Sequence, residues 1–194
     1  MTIGRVILAI VALIAAGLGY AYFFASPPMM LNMIDKMTPG QPEAVQVADG
    51  VNFGTAPRQQ LGVWAPTKRG KTKLPVVIFY YGGAWTKGSR QEYGFAGRAF
   101  AGQGFIAVIP DYRLVPGVRF PIFVQDSALA VKWVRDHIAE YGGDPARITL
   151  SGHSAGAYNA AMLALDGRFL SDIGVDPKIV RAAALLAGPY SFYP

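Results

Sequence analysis

Short runs of apolar residues, separated by helical patterns, constrain the fold of this chain more than any other feature. Three such runs occur, at residues 76–81, 105–109 and 180–187, with a shorter strand at 148–150. Strands that are apolar on both faces are typical of a parallel sheet covered by helices. The helical patterns lie between them, at about residues 91–101, 120–141 and 155–165. This alternation predicts an α/β fold.

The composition allows a folded domain and excludes several classes of protein. Of the 194 residues, 52% are hydrophobic and 15% are charged, which excludes a disordered chain. The absence of cysteine excludes a disulfide scaffold, and with two histidines we expect no metal and no cofactor. Four of the six excess positive charges lie before residue 76, outside the main α/β region, so we expect no nucleic-acid partner.

A run of twenty residues without charge, at 6–25, predicts a membrane-anchoring helix. At 1.5 Å per residue it would be about 30 Å long, which matches the hydrocarbon core of a bilayer. A cleaved signal peptide is the alternative, because GYA at residues 19–21 resembles a cleavage site. The lipid bilayer is therefore an expected partner, with an aromatic belt at one interface formed by Tyr20, Tyr22 and Phe23.

Three parts are expected along the chain. The anchor or signal peptide covers residues 1–25, a linker with one short strand near 45–47 covers 26–60, and residues 61–194 form the α/β domain. Arg5 is the one basic side chain before the apolar run. The positive-inside rule then predicts a cytoplasmic amino terminus and an extracytoplasmic domain, either periplasmic or extracellular.

The sequence GHSAG at residues 152–156 lies between a predicted strand and a predicted helix. A Gly-x-Ser-x-Gly pentapeptide at such a junction is typical of a nucleophile elbow, so Ser154 is the candidate catalytic nucleophile. Gly152 and Gly156 leave room for the tight turn. The N–H of Ala155, at the start of the helix, favours negative charge beside the serine.

A second glycine-containing segment, YGGAW at residues 81–85, directly follows the first apolar strand. Acyl transfer requires hydrogen-bond donors directed at the oxyanion of the tetrahedral intermediate. Glycine lets the backbone approach a substrate closely, so we expect the N–H groups of Gly83, Ala84 and Ala155 to form the oxyanion hole. Trp85 is a candidate substrate-binding residue.

Six motifs follow one another between residues 61 and 190: YGGAW, DYRL, FP, GGDP, GHSAGA and LAGPY. Their order resembles that of the α/β-hydrolase carboxylesterases related to acetyl esterases and hormone-sensitive lipase. The resemblance implies an α/β-hydrolase fold, with a mostly parallel sheet and helices on both faces. It also implies hydrolysis of a small-molecule carboxylic ester through an acyl-enzyme at Ser154, and structural roles for DYRL and GGDP. Where such enzymes commonly have histidine, this chain has Tyr81.

The histidines do not complete a catalytic triad. In this fold the order along the chain is Ser, then Asp or Glu, then His, and no histidine follows Ser154. His153 cannot easily reach the adjacent serine oxygen, and His137 is expected at the opposite edge of the sheet. Three acids do follow the serine, at a helix end and in its loop: Asp166, Asp172 and Asp176. We therefore expect a triad without its Asp and His, in the amino-terminal part of a hydrolase domain.

Three functions stay open at this point. The first is a carboxylic ester hydrolase. The second is a catalytically inactive hydrolase fragment, or a binding protein, that lacks the triad Asp and His. The third is an amidase of the arylformamidase type, whose oxyanion loop is similar.

Overall fold

A computed structural model describes residues 3–24, 26–38 and 43–191 of the chain. The strands are β1 (Ala44–Asn52), β2 (Gln60–Pro66), β3 (Leu74–Tyr80), β4 (Ile106–Pro110), β5 (Gly143–His153) and β6 (Val180–Leu186). The helices are α1 (Ile3–Phe24), α2 (Pro27–Met37), α3 (Gly94–Gly102), α4 (Ile122–His137), α5 (Ala155–Leu165) and α6 (Arg168–Ser171).

The six strands form one sheet in the order β1-β2-β4-β3-β5-β6. From β4 to β6 the neighbouring strands are parallel, whereas β2 is antiparallel to both β1 and β4. The prediction of a mostly parallel sheet with α-helices is confirmed. The helices form two groups, because α3 packs on α2 while α4 packs on α5 and α6.

The apolar runs of the sequence form the centre of the sheet. Every residue of β4 is buried, and β3 is buried from Val76 to Tyr80. Ile148 and Leu150 of β5 are also fully buried. Burying apolar surface of this extent is the main driving force for folding, and it explains why these strands could be recognised from their composition.

The expected linker at residues 26–60 contains regular structure. Ser26 caps α2, because its Oγ accepts a hydrogen bond from the N–H of Met29 at 3.3 Å, and Pro27 stands at the first helical position. The strand expected near residues 45–47 is longer than predicted and pairs along β2. The sequence pattern did not predict α2, which begins with two prolines and buries none of its residues, so its apolar side chains are exposed.

The apolar run near the amino terminus forms a helix, α1, as predicted. Across the ranges 3–24, 26–38 and 43–191, however, no helix has the length and apolarity needed to cross a membrane. The membrane anchor expected at residues 1–25, and the bilayer as its partner, are therefore not supported. The predicted aromatic belt of Tyr20, Tyr22 and Phe23 concerns side chains outside the described residues. The extracytoplasmic location stays a prediction.

Candidate active site

Ser154 lies in a tight turn between β5, which ends at His153, and α5, which begins at Ala155. Its backbone has φ +52° and ψ −121°, a conformation that residues other than glycine rarely adopt. The Ser154 N–H donates to the carbonyl oxygen of Leu186, at the end of β6, across 2.8 Å. The turn is therefore fixed at the carboxyl edge of the parallel strands, where open α/β sheets bind ligands.

The glycines of the elbow let α5 approach the sheet. A Cβ atom on Gly156 would overlap the carbonyl group of Tyr80 in β3. A Cβ atom on Gly152 would lie 2.6 Å from the carbonyl oxygen of Gly156. Neither overlap can be relieved by turning a side chain, because the opposing atoms belong to the backbone. Both positions thus require glycine for the strand and helix to meet at this distance.

The segment at residues 81–85, which we call the YGGAW loop, lies directly against this elbow. A Cβ atom on Gly82 would lie 2.8 Å from Nδ1 of His153 and 3.1 Å from Cβ of Ser154. Glycine at position 82 therefore permits the close approach of loop and nucleophile. Two segments separated by about seventy residues in sequence form a single site because β3 and β5 are neighbours in the sheet.

The YGGAW loop has a strained backbone. Gly83 has φ +141°, Ala84 has φ +52° and Trp85 has φ +58°. The carbonyl oxygen of Gly83 accepts hydrogen bonds from the N–H groups of Thr86 and Lys87, at 3.0 and 3.1 Å. Within the described ranges, the N–H groups of three predicted donors have no acceptor in the protein: Gly83, Ala84 and Ala155. Free N–H groups beside a nucleophile can bind an oxyanion.

Tyr81, at the position where the resemblance implies a histidine, fixes the base of the loop. Its ring is fully buried and stacks on Tyr112 and Tyr93, with centroids 4.7 and 5.7 Å apart. Arg58 donates to the Tyr81 hydroxyl at 2.7 Å and to the carbonyl oxygen of Gly88 at 2.8 Å. The Tyr112 hydroxyl donates to the Tyr81 carbonyl at 2.8 Å. Burial raises the pKa of Tyr81 well above its ordinary value, so the phenol stays neutral.

Trp85 connects the loop to the helices. Its Nε1 donates to Oδ1 of Asn159 in α5 at 3.0 Å, and its ring stacks on Phe123 at 5.2 Å. Asn159 is fully buried and donates in turn to Oγ of Ser127 in α4, at 3.2 Å. Tyr158 meets the same indole edge-on. These contacts give Trp85 a structural role, and its predicted contact with substrate stays a prediction.

Neither histidine is arranged as a base for Ser154. Nδ1 of His153 lies 3.4 Å from the hydroxyl of Tyr93, whose pKa is raised by burial. His137 ends α4 and contacts Glu140 at 3.3 Å, just before β5 begins. Ser154 follows the far end of that eleven-residue strand, which is about 36 Å long at 3.3 Å per residue. The predicted position of His137, at the opposite edge of the sheet, is confirmed.

The buried carboxylates near the site are fully paired with arginine. Asp111 accepts hydrogen bonds from the N–H and the guanidinium of Arg90. Asp126 accepts three from Arg113, at 2.7 to 2.9 Å, and one from Gln59 at 2.7 Å. These contacts brace the loops that follow β3 and β4 and leave no oxygen directed at a histidine. In the described part of the chain, no group of three His, Asp or Glu side chains could hold a metal ion.

A cleft of about 630 Å³ opens beside the nucleophile. Its lining includes Gly82, Gly83 and His153, which adjoin the nucleophile, together with residues of α2 and α3. Sequence reasoning missed this cleft, because α2 was expected to be linker. It also missed Arg58, Tyr93 and Asn159, whose partners lie far away in sequence, so no local pattern could have indicated their roles.

Comparisons with known proteins agree with this geometry. The carboxylesterase NlhH of Mycobacterium tuberculosis is 40% identical over 119 residues, which cover 61% of this chain and 36% of that protein. Esterase LipQ of the same organism is 36% identical over 167 residues, covering 83% of this chain and 38% of that protein. The chain spans less than two fifths of the length of the curated relatives that it matches.

Solved structures show the same fold. Esterase B from Lactobacillus Rhamnosis superposes with a TM-score of 0.67 at 23% identity, covering 93% of this chain and 56% of that one. An esterase from Pyrobaculum calidifontis superposes with a TM-score of 0.62 at 28% identity, covering 81% of this chain and 49% of that one.

The sheet order, the serine elbow and these similarities define an α/β-hydrolase fold that is similar to the fold of these esterases. The chain belongs to the BD-FAE family, which matches residues 61–176. The resemblance seen in the order of the motifs is thereby confirmed.

Proposed function

We propose that this chain provides the nucleophile and the oxyanion hole of a carboxylic ester hydrolase that forms an acyl-enzyme at Ser154. The observation that carries the proposal is the contact between the elbow and the YGGAW loop, with a strained serine beside free N–H groups. The names of the relatives, which are carboxylesterases and esterases, support the same reaction class.

In the proposed reaction, Oγ of Ser154 attacks the acyl carbon of the ester and loses its proton to a general base. The carbonyl oxygen becomes an oxyanion, to which Gly83, Ala84 and Ala155 donate their backbone N–H groups. Collapse of this intermediate breaks the bond to the alcohol, which leaves with the proton from the base. Water then hydrolyses the acyl-enzyme by the same two steps and releases the acid.

The general base is not assigned to a residue of this chain. His153 is adjacent to the nucleophile but directs Nδ1 at Tyr93. His137 lies beyond the far end of β5. A serine without a base reacts slowly, so an experiment on these 194 residues has to supply one.

The test measures hydrolysis of p-nitrophenyl acetate by the chain and by its Ser154→Ala variant, over a series of imidazole concentrations. Imidazole hydrolyses the ester by itself, and the variant corrects for that background. We expect the difference between the two proteins to rise with imidazole, and mass spectrometry to find an acetyl group on Ser154. Equal rates at every concentration would refute the proposal and favour the non-catalytic alternative.

A further inference from the structure

The strained backbone of the YGGAW loop persists only if neighbouring residues hold it at several points. Its first residue, Tyr81, and its last, Trp85, are both fixed by hydrogen bonds. Gly82 lies between them, directly before the residues whose N–H groups are the expected oxyanion donors. A contact at Gly82 therefore acts on the position of these donors more directly than a contact at either end of the loop.

The side chain of Tyr93, which directly precedes α3, provides such a contact. Its ring is buried, with 4% of its surface exposed, and stacks on the ring of Tyr81 with the centroids 5.7 Å apart. Burial raises the pKa of Tyr93, and a hydrogen bond from the backbone of Gly82 partly offsets that rise. A hydrogen bond lowers the pKa of a phenol when the phenol oxygen accepts it, so this oxygen accepts from the N–H of Gly82.

The same hydroxyl also contacts the elbow, because it lies 3.4 Å from Nδ1 of His153, the residue before the nucleophile. Since the oxygen of Tyr93 accepts from Gly82, its O–H proton is available for Nδ1. An imidazole nitrogen that accepts a hydrogen bond carries no proton, so neutral His153 has its ring proton on Nε2. One hydroxyl group thereby joins the YGGAW loop to the turn that contains Ser154.

The imidazole ring of His153 lies directly against the backbone of the loop. A Cβ atom on Gly82 would be 2.8 Å from its Nδ1. The centroids of the His153 and Tyr93 rings are 6.5 Å apart. A rotation of the imidazole ring would therefore displace Gly82, and with it the N–H groups that follow along the chain.

We propose that Tyr93 and His153 are positioning residues, which hold the oxyanion donors of the YGGAW loop at a fixed distance from Ser154. The proposal rests on the proposed function, because acyl transfer is the reaction that needs such donors. Neither side chain transfers a proton in this role, since Tyr93 donates a hydrogen bond and Nδ1 of His153 accepts it. Removing this hydrogen bond leaves all donors in place, so it should cost less than the loss of about a hundredfold that follows removal of a donor.

Two measurements on the whole chain test the contact without catalysis. The chain has two histidines, so nitrogen NMR spectra of its imidazole rings contain signals from His153 and His137 alone. At about pH 8.5, where imidazole is neutral, we expect His153 to carry its proton on Nε2, and to carry more of it on Nδ1 in Tyr93→Phe. Hydrogen exchange at the Gly82 amide should be about tenfold faster in Tyr93→Phe. Tyr141→Phe, just before β5 begins, is the matched control and should change neither.

A conservative variant separates this role from simple packing. The side-chain amide of asparagine has an oxygen where imidazole has Nδ1, so His153→Asn keeps an acceptor for Tyr93, whereas His153→Leu removes it. The assay is the imidazole-assisted hydrolysis of p-nitrophenyl acetate. We expect kcat of the Ser154-dependent reaction to fall about tenfold in His153→Leu and in Tyr93→Phe, and about twofold at most in His153→Asn, with KM unchanged.

Circular dichroism melting verifies that the variants fold. An unchanged His153 signal and unchanged Gly82 exchange in Tyr93→Phe would overturn the proposal, and so would equal losses of kcat in His153→Asn and His153→Leu. If the NMR and exchange results are as expected but the wild-type chain shows no Ser154-dependent hydrolysis, the contact is confirmed and the proposed function is overturned.

Discussion

Nε1 of Trp85 donates a hydrogen bond to Oδ1 of Asn159 across 3.0 Å, and this bond joins the YGGAW loop to the helix that follows Ser154. Asn159 is fully buried and also contacts Ser127 of α4. The strained loop is therefore tied to two helices by one buried amide. Such a tie keeps the backbone N–H groups of the loop in position without occupying them.

We expect Trp85→Phe to lower the free energy of unfolding by about 1–3 kcal/mol, because the buried amide oxygen of Asn159 loses its donor. Urea denaturation followed by circular dichroism measures the change. Trp133→Phe is the matched control, since no acceptor for the Trp133 indole N–H is found among the described residues. An equal loss in both variants would show that the effect comes from ring size and not from the hydrogen bond.

Gly156→Ala should be more damaging than a glycine-to-alanine change elsewhere. The new methyl group overlaps the backbone carbonyl of Tyr80, so α5 or β3 must move, at a cost of about 1–3 kcal/mol or more. Gly70→Ala is the control, because a Cβ atom there meets nothing within 4 Å. Thermal melting of both variants gives the comparison, and a Gly156→Ala protein as stable as wild type would contradict the close approach.

The buried ion pair between Asp126 and Arg113 predicts a large effect of removing the carboxylate. Asp126 is fully buried and accepts four hydrogen bonds, so Asp126→Ala leaves Gln59 and Arg113 without their acceptor. We expect a loss of about 3 kcal/mol, at the low end for buried pairs because Arg113 is partly exposed.

Asp136→Ala provides the surface comparison for this substitution. Asp136 pairs with Arg135 at 2.6 Å, but both side chains are accessible to solvent, so we expect a change below about 1 kcal/mol. Urea denaturation of the two variants under the same conditions measures the difference. If the two variants lost similar amounts of free energy of unfolding, the prediction that the buried ion pair contributes more than the exposed one would be wrong.

Acid should destabilise the chain through surface carboxylates that pair with arginine. Hydrogen bonds from Arg135 hold the pKa of Asp136 below its ordinary value of 3.8, and those from Arg168 do the same for Asp166. A folded pKa below the unfolded value means that the unfolded state binds protons first. Stability is therefore fully present above about pH 4 and is lost as the pH falls through the folded pKa.

The measurement is urea denaturation at a series of pH values below about 5. The double variant Asp136→Asn, Asp166→Asn should show a shallower loss of stability on acidification than the wild-type chain. Parallel pH profiles for the two proteins would mean that these carboxylates do not contribute.

The elements that were predicted correctly are those in which the pattern of apolar residues in the sequence matches the burial of those residues in the structure. The helix at residues 155–165 was predicted with its observed bounds, and β4 followed from its apolar run. The elbow could be located because the pentapeptide lies between a predicted strand and a predicted helix, which correspond to β5 and α5. In each case the sequence pattern and the structural element that it predicts consist of the same few consecutive residues.

The features that could not be predicted depend on contacts between distant residues. Arg58 lies in the expected linker, yet it binds Tyr81 and Gly88, because β2 is antiparallel to β4 and begins at the edge of the sheet where β3 and β4 end. Asn159 is one polar residue in an apolar helix, and its role emerges only when Trp85 is placed beside it. Helix α2 is held by polar contacts, which leave no periodic pattern in the sequence.

Having tyrosine at position 81 affects how the structure of this site depends on pH. An imidazole at this position would change its charge near pH 6.5 and would rearrange its hydrogen bonds with it. Here the ring is a phenol whose pKa is raised by burial, and its hydroxyl accepts a hydrogen bond from Arg58. The support of the YGGAW loop is therefore insensitive to mild acid and mild alkali. Titration of Tyr81 would therefore not contribute to a pH dependence of the proposed reaction near neutral pH.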